Sequence, residues 1–392
     1  MEKMLEGVKV LDFCIAAAGP SVSRMLVDFG AEDIMVEPLA GQSTRTSAPH
    51  TFDFKTAGKK SIPLDLKSAQ GKEVFLKLVQ WADVLVTNFR LKALEKLGLT
   101  YEELSSVNPK LIYAVLTGFG STGPQRDDPG YDMTAWWAKS GLMADAAQRG
   151  TLVRVPNGTG DFSAGQSLAL GICAALYRRS ITGKGTKVAT SLMGSGVFLN
   201  YDAIVESQYG SKLPTTRREA IRPMLNTYQT GDGEWISVNG IHHWETSWPC
   251  TCRTIHREDL IEKYPSNEST MYENAPELIG ILDEGFSKLT QDEAFKALKA
   301  CGTISVEKVQ HSIDVTRDPQ AIDNKFVVPW TDRNGKTIMH PTTPVRFGDD
   351  EPAPLSYGPG LGEHTEEILA MLGYDSANIK TLEDEGVVTA MK

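Results

Sequence analysis

The chain has 392 residues, of which 41% are hydrophobic and 23% charged, and a formal net charge of −10. This length favours two domains over one small core, and the ordinary composition excludes collagen-like, disordered and low-complexity classes. The acidic balance argues against nucleic acid as a partner.

Taken in order, Met1-Glu2-Lys3-Met4-Leu5-Glu6 lacks the basic-then-apolar pattern of a leader, and no later apolar run approaches the roughly 20 residues of a spanning helix. A cytoplasmic protein with no membrane partner is expected. Val8 to Phe13 reads as a strand, Pro20 opens a helix that Gly30 stops, and Asp33 to Glu37 is a second strand. Strand, turn, helix, strand is a βαβ unit and argues for a parallel sheet. Glu37 stands where a dinucleotide fold has its ribose-binding acid. The turn before the helix, however, is Ala16-Ala17-Ala18-Gly19-Pro20 and not Gly-x-Gly-x-x-Gly, which disfavours an NAD site.

A polar loop is expected from Gly41 to Ala57, then a strand over Lys59 to Lys67, a helix over Ser68 to Trp81 and a strand at Val84-Leu85-Val86. A helix over Lys92 to Leu97 and a strand over Leu111 to Leu116 follow. Several strands therefore run into loops carrying Gly, Asn or basic residues, the edge at which open α/β sheets bind ligands.

Gly158-Thr159-Gly160-Asp161 stands before small and apolar residues at helical spacing, from Ala164 through Leu168 and Ile172 to Leu176. Asp161 is expected at the N-cap or first position of a buried helix, held ionised by free N–H groups and the positive helix end. Capping is the commoner role for such an Asp; catalysis is the other reading. After a strand at Lys187 to Thr190 the character changes near Arg217, and short strands at Trp235 to Val238, Phe326 to Val328 and Lys336 to Met339 alternate with helices such as Glu293 to Ala300. The five cysteines, an odd number, suit a reducing compartment better than a disulfide framework. Cys250-Thr251-Cys252 has no further clustered ligands, so no metal site is expected. A helix from Thr365 to Leu372 closes the chain.

Together these segments resemble the class III CoA-transferases, the formyl-CoA and carnitine-CoA transferase family. The resemblance rests on Leu5 to Asp12, Ala18-Gly19-Pro20, Leu64-Asp65-Leu66-Lys67, Ala82 to Phe89, Gly118-Phe119-Gly120, Pro129-Gly130-Tyr131-Asp132, Gly160-Asp161, Thr182-Gly183 and Leu361 to Thr365. It implies an α/β fold: a large Rossmann-like domain with a parallel sheet, a smaller α+β domain, and ring-shaped subunits interlinked in a homodimer. The expected division is 1–205 for the first part of the large CoA-binding domain, 206–222 a linker, 223–347 the small domain, 348–362 a linker, and 363–392 the return to the large domain. Asp161 matches the family's nucleophile. Ala17, Ala18, Leu64, Asp65, Leu66, Lys67, Asn88, Phe89, Arg90, Lys96, Tyr131 and Asp132 fall on CoA-contacting segments, and Asn239 and Gly240 on a substrate loop that is a run of glycines in the formyl-CoA branch. CoA, as acyl-CoA, is then a substrate and not a bound cofactor, and a free carboxylic acid is the second partner.

Ile15 to Ala18, Pro129 to Ala138 and Arg149-Gly150-Thr151 look like the branch serving 2-hydroxy acids such as phenyllactate or 2-hydroxyisocaproate, whereas Ala17 and Pro38 depart from the formyl-CoA branch. Carnitine-type, bile-acid or dicarboxylic acids, and an acyl-CoA racemase, are the alternatives. A racemase needs an acid–base pair beside the α-carbon, and His50 is the one histidine before Asp161. The expected transferase cycle passes through mixed anhydrides and an aspartyl-CoA thioester on Asp161, which must be shielded from water in a cleft. Basic Lys67, Arg90 and Lys96 would meet the phosphates. Tyr131 either stacks on adenine or fills the core; Trp136 and Trp137 read as core or dimer contacts, and His242 and His243 as structural.

Overall fold

Six strands, β1 (Lys9–Phe13), β2 (Glu32–Glu37), β3 (Lys60–Pro63), β4 (Val84–Thr87), β5 (Ile112–Thr117) and β6 (Thr186–Ser191), form one sheet in the order β3-β2-β1-β4-β5-β6. Every pairing in it is parallel. This is the strand order of doubly wound dinucleotide-type folds, with helices covering both faces. The structure, a computed structural model, describes residues 3–153 and 155–391. None of the described helices is long and apolar enough to cross a membrane.

The crossovers are α1 (Ala18–Asp28), α2 (Pro49–Thr56), α3 (Ala69–Trp81), α4 (Leu91–Leu97) and the long α5 (Thr159–Thr182). On one face, Val74, Phe75, Leu78 and Val79 of α3 bury against Leu11, Ile34, Leu85 and Tyr113. On the other, Val22 and Leu26 of α1 and Leu168 and Ile172 of α5 bury against Val10, Val84 and Ile112. Alternate strand residues therefore feed opposite cores, as a period of two requires. The first helix starts at Ala18, two residues before the expected Pro20, because proline at the third helical position gives up only an N–H that has no intrahelical partner.

The described chain divides into two compact units. The first comprises the described residues of Met1–Met143, Arg154–Val205 and Ile322–Lys392, and the second those of Ala144–Val153 and Glu206–Ala321. The chain rejoins the first unit earlier than position 363, the expected return. The hairpin of β10 (Val327–Thr331) and β11 (Thr337–Pro341) belongs to it: the His340 ring lies 4.9 Å from that of Phe54, and the Thr343 hydroxyl donates to Asp28. Two C-terminal helices, α11 (Thr365–Met371) and α12 (Ser376–Asp384), close the first unit; α12 was not anticipated.

In the second unit, β7 (Leu225–Gln229), β8 (Trp235–Asn239) and β9 (Ser305–Lys308) form an antiparallel sheet. It shares a core with α8 (Trp244–Thr254), α9 (Ala275–Phe286) and α10 (Gln291–Lys299), which is built on Trp248, Tyr228 and Phe286. The odd cysteine count suggested no disulfide, but Cys250 of α8 and Cys301 just after α10 are joined, with Cα atoms 6.2 Å apart. Oddness of the total leaves room for one pair, and the packing of these helices brings that pair together. Between α5 and these elements the first unit adds α6 (Leu192–Leu199) and α7 (Tyr201–Gln208), the last residues of α7 passing into the second unit.

Candidate active site

The chain from β1 leads to β2 and β3 on one side, then returns to β4 on the other side of β1. At that reversal the loops after β1 and β4 part, and a crevice opens outside the carboxyl ends of the strands. It has a volume of about 310 Å³ and is made entirely from first-unit residues. Ile15 to Ala18 follow β1, Asn88 to Leu91 follow β4, and Thr117-Gly118 end β5; Arg126 and Asp128 to Tyr131 come from the next loop, and Asp161 and Leu192 complete the wall.

Asn88 joins the first two loops. Its Oδ1 accepts from Ile15 N and its Nδ2 donates to Ile15 O, both at 2.8 Å. This amide fork makes Asn88 a structural part of the crevice, fixing the loop after β1 to the loop after β4. The next turn starts α1, whose first turn has no side-chain cap. Pro20 has no N–H, so the uncapped donors are those of Ala18, which lines the crevice, and of Gly19, buried directly behind it in the chain. Such donors, backed by the helix dipole, suit a developing oxyanion or a phosphate.

Asp161 is the third residue of α5, not its cap or first residue; the N-cap is Gly158, at φ +95°. A left-handed residue there favours glycine. Capping falls to another carboxylate: Asp132 Oδ2 accepts from Gly158 N at 2.6 Å and Oδ1 from Gly160 N at 2.8 Å. Gly160 allows this approach, because a Cβ there would stand 2.3 Å from Asp132 Oδ1. With its helix end already capped, Asp161 does not have the expected stabilisation. Burial pushes its carboxyl up to about 6, the Asp132 charge adds to the rise, and Lys55 opposes it. The carboxyl held ready to ionise near neutrality is thus Asp161, while Asp132 is a buried support.

Of the residues expected to meet CoA, the crevice brings together Ala17, Ala18, Asn88, Phe89, Arg90 and Tyr131 with Asp161. Tyr131 is 65% exposed, which removes the core reading of that side chain. Asp132 turns inward to cap α5. Leu64 to Lys67 do not line the crevice. Leu64 bridges to Val388, Asp65 N donates to Val387 O, Leu66 packs on the core below α3, and Lys67 is exposed with its N–H on Asp65 Oδ1. Lys96 is exposed on the last turn of α4. Asn239, which ends β8, and Gly240, whose N–H donates to Met224 O, lie in the second unit with exposed His242 and His243. Trp136 and Trp137 are core residues.

Three residues near the site escaped sequence reasoning. Arg126 and Asp128 sit in an aperiodic polar loop; Arg126 is held by Glu95. Lys55 lies in the expected loop at 41–57, but α2 is helical there. Pro49 at its first turn was the available signal, a favoured helix-opening position. Lys55 is only 7% exposed, and burial lowers its ammonium from the ordinary lysine range while Asp161 opposes that. Glu37 is spent on structure. Arg45 grips it through Nη2 at 2.6 Å and Nε at 2.8 Å, and Ser61 Oγ donates to it, so it is not a free ribose-binding acid.

The sequence model of CoA-transferase family III matches residues 5–365. The chain belongs to this family. Over 401 residues it is 34% identical to the (R)-2-hydroxy-4-methylpentanoate CoA-transferase of Clostridioides difficile, covering 98% of this chain and 99% of that protein. It is 32% identical to the cinnamoyl-CoA:phenyllactate CoA-transferase of Clostridium sporogenes, covering 99% and 98% respectively. Among solved structures, a CAIB/BAIF family protein from Brucella suis superposes with a TM-score of 0.82 at 27% identity, over 95% of this chain and all of that one. As a class III CoA-transferase, the chain is an enzyme that takes acyl-CoA and a carboxylic acid as substrates. Among the described residues no cluster of His, Cys, Asp and Glu could hold a metal ion.

Proposed function

We propose that the enzyme moves CoA from an acyl-CoA to a free 2-hydroxy acid, with an aryl or branched side chain, through covalent intermediates on Asp161. The observation that carries this reading is the placement of one half-buried carboxyl in the wall of the switch-point crevice, which Ala18 at the uncapped start of α1 also lines. The substrate class follows the names of the relatives at 34% and 32% identity.

An Asp161 oxygen attacks the acyl-CoA carbonyl carbon; the C–S bond breaks and its electron pair leaves on the CoA thiolate, giving a mixed anhydride. The thiolate attacks Asp161 Cγ, and the first acid departs as a carboxylate from an aspartyl-CoA thioester. The acceptor carboxylate then attacks Cγ, expels thiolate and forms the second anhydride. Thiolate attack on the acceptor acyl carbon releases the new acyl-CoA and restores the Asp161 carboxylate, with no net proton gained or lost. Each tetrahedral oxyanion needs fixed donors, and the uncapped start of α1, which reaches the wall at Ala18, offers them. Arg90 and Arg126 supply positive charge for the CoA phosphates, and the exposed Tyr131 ring a face for adenine.

The assembly in this proposal is a homodimer, interlinked as in the family resemblance, in the cytoplasm. Leu170, Tyr177 and Ile181 of α5 and Phe198, Leu199 and Tyr201 nearby are all exposed, an apolar surface that a second copy would cover. Light scattering should return twice the chain mass of 42.9 kDa; a monomer at assay concentration would refute this part.

The covalent role is tested by incubating the enzyme with cinnamoyl-CoA and with 2-hydroxy-4-methylpentanoyl-CoA, adding hydroxylamine, and mapping peptides by mass. A hydroxamate on Asp161 is expected. Turnover of either substrate with Asp161 unmodified would overturn the reading.

A further inference from the structure

α2 and the first turn of α5 meet through two aromatic rings. Phe54 and Phe162 have centroids 5.6 Å apart, and across this contact the charges of Lys55 and Asp161, their immediate chain neighbours, act on one another without forming an ion pair. Lys55 is buried, yet it has no hydrogen-bond or ion-pair partner among the described residues. Its ammonium is not fully enclosed, so its free donors remain within reach of a small anion. The near carboxylate is Asp161, and the proposed reaction removes that charge: once Asp161 carries CoA as a thioester, it is neutral.

We propose that Lys55, with the half-buried rings of Phe54 and Phe162, forms the binding site for the acceptor acid, its ammonium pairing with the acceptor carboxylate in the thioester state. The inference rests on the covalent role given above to Asp161. In the resting enzyme Lys55 faces the Asp161 carboxylate across a gap wider than an ion pair. When the thioester forms, the cation loses its counter-charge, and an incoming carboxylate restores it. That anion is then beside the carbon it must attack, so orientation is supplied by the same charge that draws it in. The rings of Phe54 and Phe162 offer apolar walls for the side chain of an aryl or branched acid. Lys55 also prefers the anionic form of the acceptor over water, a neutral nucleophile that would waste the thioester. Lys55 is a positioning residue in this account: it forms no bond to the reacting carbon.

The test separates an anionic from a neutral nucleophile at one thioester. Enzyme loaded with CoA on Asp161 is chased with phenyllactate or 2-hydroxy-4-methylpentanoate, whichever is turned over faster, and separately with hydroxylamine. Lys55→Met should slow the carboxylate chase about 100-fold, the size of a lost charge-assisted hydrogen bond, and change the hydroxylamine chase less than about threefold. Lys55→Arg, which keeps the charge, should recover most of the carboxylate rate. Equal loss on both nucleophiles, or an unchanged carboxylate rate, overturns the proposal while the labelled Asp161 still stands. If no label appears on Asp161 in the wild-type enzyme, it is the covalent reading that fails. A second measurement uses the wild-type protein and so does not depend on how the variants fold. The amide of the accepted acid, equal in shape and uncharged, should inhibit the carboxylate chase only at concentrations at least about 30-fold above those at which the acid half-saturates it; equal potency overturns the proposal.

Discussion

Two lysines four positions apart are both buried and have opposite surroundings. Lys59, at the start of the β3 segment, donates to Asp12 Oδ2 at 2.7 Å, Ser23 Oγ at 2.8 Å and Pro20 O at 3.0 Å, filling its three donor positions. Lys55, on α2, has none of these and looks toward Asp161. The first lysine ties β1, α1 and β3 into one rigid block beneath the crevice. The second retains bonding capacity at the place where charge is expected to come and go. Equal burial therefore does not mean equal purpose; what separates the two is whether the donors are already taken.

The largest effect should come from removing the anion that Lys55 faces. Asp161→Asn is expected to lower kcat on the order of 10⁴-fold or more, as for other removed nucleophiles, with the folded circular-dichroism spectrum kept. Full-speed transfer by this variant would end the covalent scheme. Next, Lys59→Met should destabilise the protein by roughly 3–5 kcal/mol, because Asp12 is left buried and unpaired; urea unfolding reads this directly, and a change under about 1 kcal/mol, the exposed-pair scale, would erase the contrast between the two lysines. A smaller effect lies in the pH profile. Asp161 is pushed up to about 6, so the ionised nucleophile, and kcat/KM with it, should fall as pH drops through about 6. Lys55→Met removes the cation that opposes the rise, so this acid limb should move to higher pH. The smallest change is Asp132→Asn. Loss of its charge should move the acid limb to lower pH, and weaker capping of α5 should cost about 1 kcal/mol in denaturant unfolding. Acid limbs that stay in place in both variants would remove Asp132 and Lys55 from the electrostatics of the site.

The sheet was legible because its strands are short apolar runs bounded by glycine and polar turns, and its helices show one-sided apolar spacing. Val84-Leu85-Val86 and Val74 to Val79 lie where periodicity put them. α2 was not legible: Pro49-His50-Thr51-Phe52-Asp53-Phe54-Lys55-Thr56 has no apolar stripe, and it is held by Phe54 meeting Phe162 and His340 far along the chain. The same holds for the roles of the two carboxylates. Sequence placed Asp161 at a helix start, but the fact that Asp132, 29 positions earlier, reaches the Gly158 and Gly160 N–H groups depends on a close approach that only the fold reveals. Leu64 to Lys67 read as ligand-binding through resemblance, whereas the structure uses Leu64 and Asp65 to hold the C-terminal segment.

That last attachment has a consequence for synthesis. A ribosome that has completed β6 has made every strand of the main sheet, yet Ile368, Leu369, Ile379, Leu382, Val387 and Val388, which cover the α3 side of the sheet's apolar core, are still unmade. At about 5–20 residues per second the nascent sheet waits on the order of tens of seconds with that patch bare. A holdase that recognises hydrophobic surface would find its best opportunity in that interval, and stop codons placed before residue 365 should yield aggregation-prone fragments although they encode the complete sheet.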